Sequence, residues 1–312
     1  MKAAIVKGAG MAPVYGEFDA PARQDGELVV HVSAAALSHL TRMRAVGRHY
    51  SVESHFPFVP GVDGVGRLSD GRRVYFAMPR APYGAMGEQA AVDTARCVAL
   101  PDDLDDVTAA ALANPGMSSW AALRHRARLK PNETVLINGA TGTSGRLAVK
   151  IARHMGAGKI IATGRNLSVL EASGADEIVP LVADDLEGRF KPHFVSGVDV
   201  VLDYLWGDSA RAILAAGAKA GPDGRAIRFV QIGSMAGGEI LMPAAVLRSS
   251  SIEMMGSGIG SVSLQNLISS IADMFAAAGS AGLDTATRVV PLADIEHVWK
   301  EEEGAERIVF TL

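Results

Sequence analysis

Short apolar runs separated by glycine, proline and polar residues fill the first hundred positions of the chain, among them MKAAIVKG, ELVVHVSAAALS, RRVYFAM and CVALP. Their β-branched residues, and the glycines and prolines that frequently separate them, predict a mainly β region of short strands. One helical pattern, HLTRMRAV, interrupts this region. The segment LDDVTAAALANPGMSSWAALRHR also predicts a helix, and we expect Pro115 and Gly116 to break it.

From residue 133 onward, short apolar runs alternate with helical patterns. The runs include ETVLINGA, KIIAT, VDVVLDYL, RAIRFVQIG and SIEMMGSGI. This alternation is typical of βαβ units around a parallel sheet that is buried on both faces. After residue 261 come a helix, the strand TRVVPL, another helix and a last strand ERIVFTL. The pattern predicts an α/β domain over 118–260, inserted into a β-rich domain that spans 1–117 and is completed by 261–312.

Composition narrows the class of protein. The chain has 312 residues, of which 48% are hydrophobic and 21% charged, with a net charge of −4. These values indicate a globular protein of two domains and favour neither a nucleic-acid nor an anionic-membrane partner. The sequence shows no apolar stretch of about 18 residues and no signal-peptide pattern at the N-terminus, so we expect a cytoplasmic location. A single cysteine, Cys97, excludes internal disulfides and thiolate-rich metal sites.

A glycine-rich turn follows the strand ETVLINGA and precedes the helical pattern RLAVKIARHMG. Strand, turn and helix together form the context of the dinucleotide-binding fingerprint, here with Ala140 in place of its first glycine. We expect Gly142 to let the backbone approach a pyrophosphate, and Gly145 to let the helix pack closely on the strand. Thr143 and Ser144 would contribute backbone N–H groups. The alternative is an ordinary tight turn; a phosphate-binding P-loop is excluded because no Gly-Lys-Ser/Thr follows.

The next strand bears on the choice of cofactor. An NAD-specific site usually has an acidic residue about 20 positions after the glycines. Here KIIATGRNLSVLE carries none before Glu171, and Gly164, Arg165 and Asn166 stand at the strand end. A guanidinium suits a ribose 2′-phosphate, so these residues predict NADP(H). The alternative for Arg165 is a solvated surface arginine.

Five segments follow one another in a characteristic order along the chain: FPFVPGVDGVG, GMSSWAALRHRARLKPNETVLINGATGTSG, SGADEIV, VDVVLDYLWG and RFVQIGS. By these segments the chain resembles the medium-chain dehydrogenase/reductase superfamily, in its zinc-free quinone oxidoreductase branch, along nearly its whole length. The resemblance implies a doubly wound Rossmann domain inserted into a GroES-like, mainly β catalytic domain. That arrangement places the glycine turn in mid-chain.

The resemblance also bears on metal. Zinc-dependent alcohol dehydrogenases of this superfamily hold zinc at positions that match Ser38, Val62 and Asp63, and they carry a four-cysteine lobe that is absent here. A catalytic zinc needs three N, S or carboxylate ligands. We therefore expect no metal. Without a Lewis acid to support alkoxide formation, we also expect no simple alcohol dehydrogenation.

Further site residues are implied by position. Ser38 stands where quinone reductases have an Asn near the nicotinamide, and Thr41 where they have an Asp. Ser118 matches a cofactor-proximal Thr, and Gly233, Gly256 and Gly258 match strand-end loops near the nicotinamide. The resemblance makes Tyr50 the candidate hydroxyl donor to the acceptor, with Ser38 beside it and His49 as a rival. Phe56, Phe58 and Tyr50 would wall an apolar cleft between the domains, or belong to the core.

These observations predict an NADPH-dependent reductase that transfers hydride to a quinone or an enone. The alternative is a non-catalytic, NADPH-binding structural or regulatory protein of the same fold. A short-chain dehydrogenase is excluded, because none of the five tyrosines is followed by lysine four positions later. The apolar strand SIEMMGSGI, expected at the sheet edge, predicts a homodimer, which the resemblance also implies.

Overall fold

The structure, a computed structural model, describes residues 1–46, 55–182, 184–221, 223–301, 304 and 306–312. It divides into two compact units. The β-rich unit comprises Met1–Asn114, Ile271–Ala278 and Asp284–Leu312, and the α/β unit comprises Pro115–Ser270 and Gly279–Leu283. The first division comes three residues before the expected one. The second comes ten residues after it, because a helix that starts in the α/β unit continues into the β-rich unit.

The strands are numbered in chain order. They are β1 (Lys2–Ile5), β2 (Val14–Glu17), β3 (Glu27–Ala36), β4 (Asp63–Arg67), β5 (Arg73–Ala77), β6 (Gln89–Asp93), β7 (Cys97–Ala99), β8 (Thr134–Asn138), β9 (Lys159–Gly164), β10 (Glu177–Pro180), β11 (Val200–Asp203), β12 (Ile227–Gln231), β13 (Ile252–Gly256), β14 (Thr287–Pro291) and β15 (Arg307–Thr311).

The helices follow the same convention. They are α1 (His39–Ala45), α2 (Asp106–Ala121), α3 (Thr143–His154), α4 (Leu167–Glu171), α5 (Leu186–Ser196), α6 (Gly207–Ala220), α7 (Ala244–Arg248), α8 (Leu264–Ala277) and α9 (Ile295–Val298). A π-helical segment, Ala122–Ala127, directly continues α2. Within the described ranges, no helix combines the length and the apolar character needed to span a bilayer.

The β-rich unit is built around a seven-stranded sheet. Its order is β14-β15-β3-β4-β5-β7, with β6 also paired to β3, and β1 and β2 form a separate hairpin. The last strand, β15, runs antiparallel to β3 and sets Val309 opposite Ala36. The end of the chain therefore completes the sheet that its beginning starts, as the sequence predicts. Val30, Phe76 and Phe310 are fully buried in its core.

The α/β unit contains a six-stranded, fully parallel sheet in the order β10-β9-β8-β11-β12-β13. Counted from β8, this is the strand order 3-2-1-4-5-6 of a doubly wound dinucleotide-binding sheet. The predicted fold class, a Rossmann domain inserted into a mainly β domain, is confirmed. All six strands point their carboxyl ends to one edge, and the strand order reverses between β8 and β11. Ligands of such sheets bind at that switch point.

The expected break at Pro115 and Gly116 was wrong. Helix α2 continues through both residues to Ala121. A proline inside a helix removes one backbone hydrogen bond and costs about 3 kcal/mol. Residues 109–113, just before it, are almost completely buried, and both Pro115 and Gly116 are buried as well. Packing of this segment offsets the local cost, a tertiary contribution that the sequence pattern does not reveal.

Candidate nucleotide-binding site and acceptor cavity

The glycine-rich turn lies at the carboxyl end of β8 and is held against the end of β9. The backbone N–H groups of Gly139 and Ala140 donate to Thr163 O over 3.2 and 2.7 Å. Gly139 has a φ of +99°, a conformation that favours glycine. Gly139 was not among the residues predicted from the sequence, although its position as the first glycine after the strand was an available signal.

Helix α3 begins at Thr143 directly after this turn. Its N-cap residue, Gly142, provides no side-chain cap, as is also the case for α6, α7 and α9, whereas Ser38, Asn166 and Asp185 cap α1, α4 and α5. The first backbone N–H groups of a helix have no partner inside the helix. Those of Thr143, Ser144 and Gly145 thus remain as donors at the positive end of the helix dipole, where an anion is stabilised.

Gly142 and Gly145 have different surroundings. A Cβ atom on Gly145 would lie against Gly139 O and 2.6 Å from Ala140 Cα, so helix and turn meet in the close packing that the sequence predicts. A Cβ atom on Gly142 would meet only Gly139 O, at 3.9 Å. The space in front of Gly142 is therefore open to a ligand, and the fold itself does not require a glycine there.

A buried polar network supports the turn from below. Asn138 Nδ2 donates to Asp203 Oδ1 over 2.7 Å and to Ser209 Oγ over 2.9 Å, and Thr163 Oγ1 donates to Asn138 Oδ1 over 2.8 Å. Asp203 also accepts from the Leu205 and Trp206 N–H groups. Burial raises the pKa of Asp203 above its usual value, and these hydrogen bonds oppose the rise. The network joins the ends of β8, β9 and β11.

Sequence reasoning missed this network. Its signal was a polar residue at the last or next-to-last position of each apolar strand, in VLIN, IIATG and VVLD. The carboxyl ends of parallel strands meet at one edge of the sheet, so the three side chains could be expected to lie together.

The end of β9 carries the residues predicted to select NADP(H). A Cβ atom on Gly164 would collide with the Thr141 side chain, so this glycine lets the turn pack on β9. Arg165 is exposed, and its guanidinium makes no hydrogen bond or ion pair with any residue in the described ranges. Asn166 is occupied: its Oδ1 accepts from Val169 N and Ser168 Oγ and caps α4.

The other predicted cofactor residues have identifiable structural roles. Ser118 Oγ donates to Pro115 O over 2.7 Å, and the neighbouring Ser119 is hydrogen-bonded to Tyr204 Oη at 2.7 Å. Burial raises the pKa of Tyr204 well above 10. Gly233 follows β12 and leaves no room for a side chain, since a Cβ atom would lie 2.7 Å from Tyr204 O. Ser119 and Tyr204 were not among the sequence candidates.

Gly256 and Gly258 stand at the carboxyl end of β13, on the same sheet edge as the glycine turn. Arg126 Nε donates to Gly256 O over 2.7 Å, and the Gly258 N–H donates to Ser261 Oγ over 2.9 Å. These contacts fix the strand-end loop. The predicted role of the two glycines near a nicotinamide stays a prediction.

In the β-rich unit, Ser38 and Thr41 form the N-terminal cap of α1. Ser38 Oγ accepts from Thr41 N over 3.0 Å and lies 2.9 Å from Thr41 Oγ1, and both residues are buried. The Ser38 hydroxyl is thus engaged in holding the helix start. The other candidate donor, Tyr50, and its rival His49 lie outside the described residues.

The β-rich unit contains a cavity of about 430 Å³, here called the acceptor cavity. Its walls are residues 57–62, Pro79, residues 81–84, Thr41, Arg44 and His55. Most of these side chains are apolar, and Phe58 is one of them. The ring of Phe56 lies 5.5 Å from that of Phe58 between centroids, but Phe56 does not line the cavity. Pockets of this size with few polar groups typically bind small organic molecules.

Arg44 brings a positive charge into this cavity and was not a sequence candidate. Its Nη1 lies 3.5 Å from Met78 Sδ. Partial burial lowers the pKa of its guanidinium below the usual value of an arginine. Arginine stays protonated in proteins. The cavity therefore combines apolar walls with one partly buried cation.

The positions that match zinc ligands in alcohol dehydrogenases do not form a metal-ligand cluster with other described residues. Val62 and Asp63 are buried, and Asp63 accepts a hydrogen bond from Tyr75 Oη over 3.1 Å. In the described part of the chain, no three His, Cys, Asp or Glu side chains come together as a potential ligand set. The absence of a metal remains a prediction.

Comparisons with known proteins support the resemblance. No family model matches the chain. It is 30% identical to the probable NADPH-dependent quinone reductase tdiC of Emericella nidulans, over 93% of this chain and 94% of that protein. It is 31% identical to the phthioceranic/hydroxyphthioceranic acid synthase of Mycobacterium tuberculosis over 67% of this chain but only 10% of the synthase.

Among solved structures, the quinone oxidoreductase of Thermus thermophilus, also solved in complex with NADPH, superimposes with a TM-score of 0.83. The two sequences are 26% identical, and the match covers 100% of both chains. The chain is similar in sequence to a reductase over nearly the full length of both proteins, and its fold agrees with that of a quinone oxidoreductase. Both findings indicate the same family. The chain belongs to the quinone-reductase-like members of the medium-chain dehydrogenase/reductase superfamily.

Proposed function

We propose that the protein is an NADPH-dependent reductase that transfers hydride to a quinone or to the activated C=C bond of an enone, without zinc. One observation carries the proposal: the uncapped start of α3 and the Arg165 guanidinium, which has no partner among the described residues, lie at the ends of adjacent strands. A dinucleotide with an additional phosphate has negative charge at those two places.

The residues present fit NADP(H). The N–H groups of residues 143–145 would bind the pyrophosphate, and the open space at Gly142 would let it approach the backbone. Arg165 would pair with the 2′-phosphate, and no acidic residue stands at the end of β9 to repel it. When bound, the nicotinamide supplies the hydride. The sequence similarity of the chain to a probable NADPH-dependent quinone reductase supports this choice of cofactor.

The acceptor cavity supports an apolar, electrophilic substrate. Its apolar walls, Phe58 among them, would hold the body of a quinone or enone. Reduction places negative charge on the acceptor oxygen, and the Arg44 guanidinium would stabilise that charge. Tyr50 and Ser38 stay the proposed hydroxyl donors, and solvent supplies the proton.

A quinone or enone accepts hydride at a carbon that its own carbonyl already activates, so a Lewis acid is not required. An alcohol must first lose a proton, and a zinc ion normally stabilises the resulting alkoxide. The serine and valine at two of the matching ligand positions, Ser38 and Val62, support a metal-free mechanism.

We also propose a homodimer in the cytoplasm. Strand β13 forms one edge of the parallel sheet, and its Met254 and Met255 are only partly buried. An apolar edge strand favours pairing with a second copy. Light scattering at micromolar concentration should give twice the chain mass of 32.6 kDa; a monomer would refute the dimer.

The function is tested by following NADPH absorbance with an ortho-quinone, an α,β-unsaturated ketone and, in the reverse direction, a primary alcohol with NADP⁺. We expect turnover with at least one activated acceptor and none with the alcohol. Tight NADPH binding without turnover of any acceptor would favour the non-catalytic alternative. Efficient alcohol oxidation would overturn the proposed mechanism.

A further inference from the structure

A second cavity lies in the α/β unit, at the C-terminal end of α3. It has a volume of about 430 Å³, and we call it the distal cavity. Helix α3 has 12 residues, so its ends are ~17 Å apart at 1.5 Å per residue. The proposed phosphate site is at the N-terminal end of this helix, and His154, which lines the distal cavity, is its last residue. The two sites are therefore separate.

The charged lining of the distal cavity is entirely basic. It consists of Arg124 and Arg128, with His154 as a further lining residue, and no acidic side chain is among its described lining residues. Neither the Arg124 nor the Arg128 guanidinium has a hydrogen-bonding or ionic partner within the described ranges. In the same region, Arg126 donates to Gly256 O, and Arg228 pairs with Glu133. Arg126 and Arg228 are thus bound to the protein, whereas Arg124 and Arg128 are exposed and have no counter-charge in the described part of the chain.

The backbone explains how the two arginines come to line one cavity. The π-helical segment ends in a turn in which the N–H groups of Arg128 and Leu129 both donate to Leu123 O. Arg128 adopts a left-handed conformation with a φ of +51°, which is unusual for a residue other than glycine. This turn folds Arg128 and Leu129 back toward Leu123, beside Arg124. π-Helical segments occur frequently at functional sites.

Trp120 contributes an aromatic ring to the wall of the distal cavity. Its side chain is one of the cavity's lining residues, is 6% exposed, and contacts the His154 ring at 5.8 Å between centroids. The indole Nε1 is buried and has no acceptor among the described residues. The ring of Trp120, and not this shielded nitrogen, therefore forms part of the cavity wall.

We propose that the distal cavity binds a small organic carboxylate with an apolar body. The carboxylate would pair with the Arg124 and Arg128 guanidinium groups, whose planar donors match its two oxygens. Leu123, Leu129 and Met155 provide the apolar part of the lining. Such a ligand leaves the NADPH site free. The proposal is independent of the proposed function.

Titration calorimetry on the full chain with 4-phenylbutanoate tests the proposal. Its neutral amide has the same apolar body without the charge, and inorganic phosphate has the charge without the apolar body. We expect the carboxylate to bind at least about tenfold more tightly than either, because charge-assisted bonds and apolar contact act together. Equal binding of acid and amide, tighter binding of phosphate, or no binding of the acid would overturn the proposal.

Variants locate the site. R124Q and R128Q should each weaken the carboxylate by about tenfold. W120F, which keeps an aromatic ring in the cavity wall and removes the shielded N–H, should bind the carboxylate nearly as tightly as the wild type. R248Q, an exposed arginine of the same unit outside this cavity, is the control and should change nothing. Thermal melting verifies that each variant is folded. Unchanged affinity in both R124Q and R128Q, or loss of binding when NADPH saturates the protein, would show that the carboxylate binds elsewhere.

Discussion

Tyr75 Oη donates a hydrogen bond to Asp63 Oδ2 over 3.1 Å, and both side chains are buried in the β-rich unit. Burial raises the pKa of Asp63 from 3.8 to about 6, against the opposing effects of Arg307 and of the Tyr75 hydrogen bond. Burial, together with the Asp63 charge, also raises the pKa of Tyr75 well above 10. The ionised form of Asp63 is thus less favourable in the folded chain than in the unfolded one.

The first prediction concerns the pH dependence of stability. Between pH 4 and 6 the folded chain holds a proton on Asp63 that the unfolded chain has released, so the free energy of unfolding falls as pH rises through this window. The rise in pKa corresponds to ~3 kcal/mol. D63N removes this penalty and keeps an acceptor for Tyr75. Urea unfolding should therefore show D63N gaining stability relative to the wild type between pH 4 and 7.5. A constant difference over that range would contradict the assigned pKa.

The second prediction separates two glycines of the same turn. G145A should destabilise the fold by about 1–3 kcal/mol, because its methyl group has no room beside Gly139 and Ala140. G142A should cost under about 1 kcal/mol, the typical effect of alanine at an N-cap. It should nevertheless weaken NADPH by about tenfold or more, because the methyl occupies the path of the pyrophosphate. Thermal melting and NADPH titration of both variants measure the two effects. Wild-type NADPH affinity in G142A would show that the phosphates do not approach this residue.

Local patterns in the sequence were enough to predict the parallel sheet, the insertion of its residues between the two parts of the sequence that form the β-rich unit, and the tight packing at Gly145. These features depend on alternation of apolar runs and on glycines next to a strand end, which are visible in consecutive residues. The continuous helix through Pro115 was not predictable in this way, because it depends on burial of residues 109–113 by distant parts of the chain.

The site was only partly predictable for a related reason. Asn138, Thr163 and Asp203 are each a single polar residue on a different strand, and only the strand order brings them together. Arg124 and Arg128 line one cavity because of the π-helical turn, which the helical pattern of the sequence does not reveal. Ser38 matches a family position, but its use as a helix cap is visible only from its contact with Thr41.

The third prediction tests the choice of cofactor. R165A should weaken NADPH binding by about one to two decades, since a lost charge-assisted hydrogen bond costs roughly 1.5–3 kcal/mol. NADH lacks the 2′-phosphate and should bind as to the wild type. R165K keeps the charge but not the planar donors, so its NADPH affinity should lie between those of R165A and the wild type. Fluorescence titration with both cofactors measures the affinities. Equal losses for NADPH and NADH would show that Arg165 does not contact the phosphate.

The fourth prediction concerns metal content. Protein purified without chelator should contain no stoichiometric zinc, because Ser38 and Val62 occupy two of the matching ligand positions and the chain has one cysteine. Elemental analysis measures this directly. About one zinc per chain would refute the prediction and require a ligand set outside those positions.

The last prediction concerns the acceptor cavity and uses two neighbouring phenylalanines. Phe58 lines the cavity, whereas Phe56 does not, and both pack against the same hydrophobic core. F58L and F56L therefore remove the same ring from the same part of the fold and should lower Tm by similar amounts. Only F58L removes an aromatic wall from the proposed substrate site.

We expect F58L to raise KM for an ortho-quinone by about three- to tenfold, since an aromatic contact contributes ~0.5–1.5 kcal/mol. F56L should change KM by less than about twofold. The kcat of F58L should stay near the wild-type value, because stacking holds the quinone equally in the ground state and the transition state. NADPH affinity should be unchanged in both variants, as the nucleotide residues lie in the α/β unit. Equal effects of F58L and F56L on KM would mean that the acceptor binds outside this cavity, and a fall in NADPH affinity would mean that the substitution disturbs more than the acceptor.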